Sequence, residues 1–245
     1  MTDDNEQAMP TSHTVKAYDE ELQFLIRRIA EMGGIAERMV SESVTALVNS
    51  DVALSQKVIS EDLVLDEAER QIGEKAVLII AKRQPMASDL RDIIGSIRIA
   101  ADLERVGDMA KNIAKRVIAV QGMAQPKKLV YGLEHLSELA LTQLTEVLNA
   151  YSARSAALAQ AIRDRDEEID AIYTSLFREL LTYMMEDPRN ITACTHLLFC
   201  AKNIERIGDH ATNIAETVYY TTTGNELSTD RPKDDETATV MVDQN

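Results

Sequence analysis

At 245 residues the chain is long enough for two small domains, each able to bury its own core. Its 41 acidic against 26 basic residues leave a formal charge of −15. That balance excludes a basic nucleic-acid-binding face and favours a cation or a basic protein surface as partner. Aromatic residues make up 4%, Trp is absent, and nine Gly and five Pro are spread over the whole length, a mixture that favours long helices over sheets.

Residues 1–16 are polar and acidic, contain Pro10, and read as a disordered tail. A first helix is predicted from Tyr18 to about Asn49, with apolar residues three or four apart at Leu22, Leu25, Ile26, Ile29, Met32, Ala36, Met39 and Val40. Gly33-Gly34 interrupts it, either as a bend or as a close approach between helices. Asp51 can cap a second helix that runs to about Arg83 along Val58, Leu65, Ala68, Ile72, Ala76 and Ile79 and stops at Pro85. Ser88 or Asp89 can then cap a third helix reaching about Val120.

The stretch 122–128 is the natural linker. Beyond it, helices are predicted at Leu129–Tyr151, Ala156–Met185 and Asn190–Tyr220, with Asp187-Pro188 as the last break. Residues 223–245 read as a disordered acidic tail. No apolar run is long enough to cross a bilayer, and the N-terminus lacks a signal sequence, so an intracellular protein is expected. Cys194 and Cys200 read as small core residues rather than a disulfide or metal pair.

The third and sixth helices repeat each other. Glu104-Arg105-Val106-Gly107-Asp108 returns as Glu205-Arg206-Ile207-Gly208-Asp209, an offset of 101 residues. Ala110, Asn112, Ile113 and Ala114 match Ala211, Asn213, Ile214 and Ala215 at the same offset. Asp62 to Asp66 aligns with Asp166 to Asp170 at 104, so the second copy has the shorter turn. This is an internal duplication of a three-helix unit. The expected fold is all-α: two tandem duplicated three-helix bundles, residues 17–121 and 129–222, six long helices in all.

A core seam runs through Ile99, Leu103, Val106, Ala110, Ile113 and Val117, and again through Cys200, Ile204, Ile207, Ala211, Ile214 and Val218. Glu104 and Asp108, like Glu205 and Asp209, fall nearly opposite it and are expected to look away from the bundle's own core. Residues four apart share a helix face, so each is a like-charge pair. Asp62 and Asp66 have the same spacing. Antiparallel neighbours would gather Asp62, Asp66, Glu104 and Asp108 in one copy, and Asp166, Asp170, Glu205 and Asp209 in the other. Oxygen ligands without thiolates suit hard cations such as Mg²⁺, Mn²⁺ or iron. The bland alternative is a solvated acidic face, neutralised locally by Arg105, Lys111 and Arg206.

His210 follows Asp209 but faces Met109 in the first copy's register, and His196 reads as a packed histidine. There is no Glu-x-x-His, no Gly-rich phosphate loop and no nucleophile with a base. Lys82, Arg83 and Arg91 read as a solvated turn, or more weakly as an anion site. A metal-dependent hydrolase of phosphate compounds and a metal-free helical scaffold remain the alternatives to a metal-binding adaptor.

The repeated Glu-Arg-[Val/Ile]-Gly-Asp motif resembles the PhoU family. So do Met32-Gly33-Gly34, Ala81-Lys82-Arg83-Gln84-Pro85 with Ala87-Ser88-Asp89-Leu90-Arg91, and Tyr183-Met184-Met185-Glu186-Asp187. The resemblance spans about Tyr18 to Tyr220. It implies a cytoplasmic, non-enzymatic negative regulator of the phosphate-starvation response and of phosphate uptake. The implied partners are the ATPase subunit of the phosphate ABC transporter and the phosphate sensor histidine kinase. Contact with the membrane would come only through them. It also implies a homodimer and divalent or trivalent metal ions (Mg, Mn, Fe or Zn) at the eight acidic positions.

Overall fold

The computed structural model describes residues 12–165 and 167–227. Most of both expected tails, residues 1–11 and 228–245, and the candidate ligand Asp166 lie outside the described residues. The described chain forms α1 (Ser12–Asn49), α2 (Val52–Arg83), α3 (Ala87–Ala119), α4 (Lys127–Ser152), α5 (Ala156–Arg163), α6 (Glu167–Glu186) and α7 (Ile191–Thr223), with one 3₁₀ turn at Pro188–Asn190. The all-α duplicated architecture is as the sequence indicates, and among the described residues there is no strand.

α1, α3, α4 and α7 pack as a ring of four. α2 lies against α1 and α3 on one side, and α5 and α6 lie against α4 and α7 on the other. The broadest contact joins the two repeats, α3 against α7. Gly95 sits against Thr221, Asp102 against His210 and Arg116 against His196, so the two helices run antiparallel. Every predicted seam residue of α2, α3 and α7 is buried, and the apolar core is continuous through both repeats.

Several local expectations change. Asp51 caps α2 as expected, accepting from the Leu54 N–H at 2.9 Å. α3 instead starts after Met86 with no side-chain cap. Ser88 and Asp89 fall inside its first turn, and the Asp89 carboxylate is taken by the Tyr18 hydroxyl at 3.0 Å. α1 begins at Ser12 and passes unbroken through Gly33-Gly34. A Cβ on Gly33 would come 2.7 Å from the Leu148 side chain, so this glycine serves a close α1–α4 approach and not a bend.

The predicted fifth helix is two helices, broken after Arg163. Residues 163–168 are all charged and offer no apolar side chain to hold the inner face. Arg165 turns out to pair with Glu146 of α4. No helix of the described residues is long and apolar enough to cross a membrane.

Candidate functional site: two acidic helix pairs

The glycine of each repeated motif sets the geometry. A Cβ on Gly107 would lie 2.3 Å from Leu65 Cδ1, and one on Gly208 would lie 2.9 Å from Ile169 Cδ1. Leu65 and Ile169 occupy equivalent positions in the two copies. The missing side chain on α3 or α7 therefore lets the neighbouring helix seat a buried leucine or isoleucine against bare backbone. Asp62 and Asp66 flank Leu65, and Asp170 adjoins Ile169, so the same close approach brings the acids of both helices together.

In the first repeat Asp62 is buried, 3% exposed, because it occupies a seam position of α2 between Val58 and Leu65. Lys111 of α3 reaches it and also donates to Asp108 Oδ1 at 3.1 Å. Arg105 lies 3.4 Å from Glu104 and 3.3 Å from Asp108. Glu104 is largely covered. Burial pushes its carboxyl above the ordinary range, and the charges of Asp108, Glu69 and Asp66 add to the shift while Arg105 opposes it. Asp66 itself is exposed.

The second repeat is built differently. Glu205 is 4% exposed. Burial raises its carboxyl to about 7, with Asp209 and Asp170 adding to the rise and Lys202 opposing it. Lys202 Nζ donates to Glu205 Oε1 at 2.8 Å and lies 5.0 Å from the centre of the Tyr173 ring. Glu205 Oε2 is buried without a hydrogen-bond partner. Asp170 is buried as well. The first repeat carries Ala101 and Glu69 where the second carries Lys202 and Tyr173. It carries Met39 and Lys111 where the second has Gln143 hydrogen-bonded to Thr212 at 2.9 Å.

The expectation that Glu104, Asp108, Glu205 and Asp209 look away from the core is corrected for Glu205, which is buried, while the other three are partly covered; Asp62 and Asp170 on the neighbouring helices are buried too. α3 and α7 are each packed on several sides, so the arc they bury is wider than a single seam. Glu69 was not singled out from the sequence, although it lies three residues beyond Asp66 on the same face. His210 does not join the acids. It faces the other repeat, its Nδ1 2.9 Å from Asp102. His196 is packed against Arg116, and burial followed by that charge lowers its pKa. Arg83 pairs with Glu21, and Arg91 lies against Gly224 at the end of α7, so both arginines of the basic turn make internal contacts, while Lys82 is exposed. Cys194 and Cys200 are free and buried.

Among the described residues, no three His, Cys, Asp or Glu side chains already stand as a metal-holding group. The donor chemistry still fits a hard cation in the second repeat, where Glu205 presents an unmatched buried oxygen near Asp170 and Asp209. In the first repeat an ammonium already lies between Asp62 and Asp108.

Fold and site together define a duplicated all-α protein with an acidic helix pair in each half. The chain matches the PhoU domain twice, over residues 29–117 and 133–218, and it belongs to the PhoU family. The family is one of accessory and regulatory proteins rather than enzymes. The chain is 73% identical over 232 residues to the phosphate-specific transport system accessory protein PhoU homolog of Rhizobium meliloti (strain 1021), covering 95% of this chain and 98% of that protein. It is 48% identical over 223 residues to the Caulobacter vibrioides (strain NA1000 / CB15N) protein of the same name, covering 91% and 97%. The crystal structure of PhoU from Pseudomonas aeruginosa superposes with a TM-score of 0.82 at 38% identity, covering 85% of this chain and all of that one. That of the phosphate transport system regulatory protein PhoU from Streptococcus pneumoniae gives 0.79 at 28% identity, covering 86% and 99%.

Proposed function

We propose that the protein is a cytoplasmic regulatory accessory of the phosphate-specific transport system. It acts as an adaptor between the transporter's ATPase subunit and the phosphate sensor histidine kinase, and it restrains uptake and the starvation response when phosphate is plentiful. Support for the transport link comes from relatives that share nearly their whole length with this chain. The eight acidic positions from the sequence are the candidate metal donors, and those of the second repeat, Asp170, Glu205 and Asp209, are the better placed. The observation that carries metal binding is the unpartnered, buried Oε2 of Glu205. A bound cation would supply positive charge there and relieve the mutual repulsion of the carboxylates.

The test is elemental analysis after loading with Mn²⁺ and dialysis, with capture of the transporter ATPase subunit in parallel. Replacing Glu205 and Asp209 by Ala lowers bound metal and weakens capture while helicity is retained. Unaltered metal content refutes the metal assignment, and undiminished capture refutes a role for the site in partner binding. The ion pairs of Lys111 favour a second reading, an adaptor whose acids are neutralised internally. That protein melts at the same temperature with and without Mn²⁺.

A further inference from the structure

The two acidic helix pairs arise from one duplicated unit, yet their internal positive charges sit in different places. Lys111 bridges two helices, reaching Asp62 of α2 and Asp108 of its own α3. Its counterpart in the second repeat is Thr212, whose hydroxyl accepts from Gln143 and carries no charge. The lysine of the second repeat, Lys202, approaches from one turn before Glu205 and meets one oxygen of it. Its side chain is 40% exposed, against 24% for Lys111. It therefore sits at the rim, and the inner oxygen of Glu205 stays unmatched.

We infer that Lys111 is a built-in counter-ion that takes the place of a metal ion in the first repeat, so that metal uptake by this chain is unequal and concentrated in the second. This rests on the metal-binding reading above. A tethered ammonium held against Asp62 and Asp108 excludes a divalent ion from those oxygens by charge and by volume. Without it, Asp62 is a buried carboxylate with no counter-charge, and the first repeat regains the need for a cation that Glu205 expresses in the second.

The test compares Mn²⁺ bound per chain in the full-length protein, the Lys111→Thr and Lys111→Arg variants, and each of these combined with Glu205→Gln and Asp209→Asn. Wild type loses nearly all its Mn²⁺ when Glu205 and Asp209 are changed. Lys111→Thr roughly doubles the bound metal, and the added portion survives those changes. Lys111→Arg keeps the positive charge and behaves as wild type. Lys111→Met supplies a second reading: it melts lower than wild type in chelator and recovers the loss when Mn²⁺ is added. If changing Glu205 and Asp209 removes only half of the metal, or if Lys111→Thr gains none and Lys111→Met melts the same with and without Mn²⁺, the Lys111 assignment is overturned while metal binding stands. Manganese absent from every variant overturns both.

Discussion

Replacing Glu205 by Gln should stabilise the metal-free protein, and only above a defined pH. Folding carries this side chain from water to a site where it is 4% exposed, and its pKa rises from 4.5 to about 7. Below about pH 4.5 the carboxyl is neutral in both the folded and unfolded chain, and the substitution changes little. As pH rises from 4.5 through 7 the unfolded chain releases the proton first, so the wild type loses stability across that window. Above about pH 7.5 the loss is complete. With about 1.4 kcal/mol for each tenfold change in proton affinity, that rise in pKa is on the order of 3 kcal/mol. Glutamine keeps the shape and removes the charge. At pH 8 in chelator, Glu205→Gln should therefore unfold about 3 kcal/mol harder than wild type. That is a melting increase of roughly 6–12 °C for a chain of this size. At pH 4.5 the two should coincide. Urea unfolding followed by far-ultraviolet circular dichroism at both pH values measures the difference. An equal gain at both pH values would mean that the buried charge is not the cause, and no gain at pH 8 would mean that Glu205 is not held as described. Saturating Mn²⁺ should reverse the order, because the wild type then gains a ligand that the variant binds poorly.

Gly107→Ala should destabilise the protein by about 1–2 kcal/mol, because the new Cβ meets Leu65 at 2.3 Å inside a full core, and the gain in helix propensity offsets only part of that cost. Gly34→Ala, with nothing within 4 Å of its Cβ, should instead stabilise by up to about 1 kcal/mol in the same urea assay. Gly224→Ala should cost about 1–2 kcal/mol, since residue 224 has φ +78° and its Cβ would press on Arg91 at 3.3 Å; an unchanged melt contradicts this closure of α7. Cys194 and Cys200 should resist thiol reagents in the native protein and react readily in urea, because burial raises both thiols, Cys200 to about 12.

Much of the fold was legible because its signals repeat. The seams of α2, α3 and α7 could be written down residue by residue from apolar spacing, and the offset between copies marked the duplication. What escaped the sequence was decided across helices. The step from Val58 to Leu65 in the α2 seam skips a turn, and Asp62 fills it. An acid at a core position looks like a gap until Lys111, 49 residues later, arrives to pair with it. Glu104 and Glu205 have the same local sequence and different burial, and the lysine that meets Glu205, itself seated over the Tyr173 ring, has no counterpart in the first repeat. Gly107 and Gly208 could be seen to recur. Their purpose needed the positions of Leu65 and Ile169. The start of α3 at Ala87 could not be read from Ser88 and Asp89, which lie inside its first turn, and the Asp89 carboxylate accepts instead from Tyr18, far away in the chain.

The broad seating of α3 on α7 has a consequence for how the duplicated unit can exist on its own. Each of these helices turns apolar residues toward the other copy as well as toward its own neighbours. A half severed within the connection from Val120 to Pro126 would expose that whole flank to solvent. The severed pieces should recombine into one particle rather than live apart, and a half expressed alone should pair with another half or precipitate. The covalent connection thus holds together two units that, as separate chains, would have to meet by diffusion before either could bury that flank.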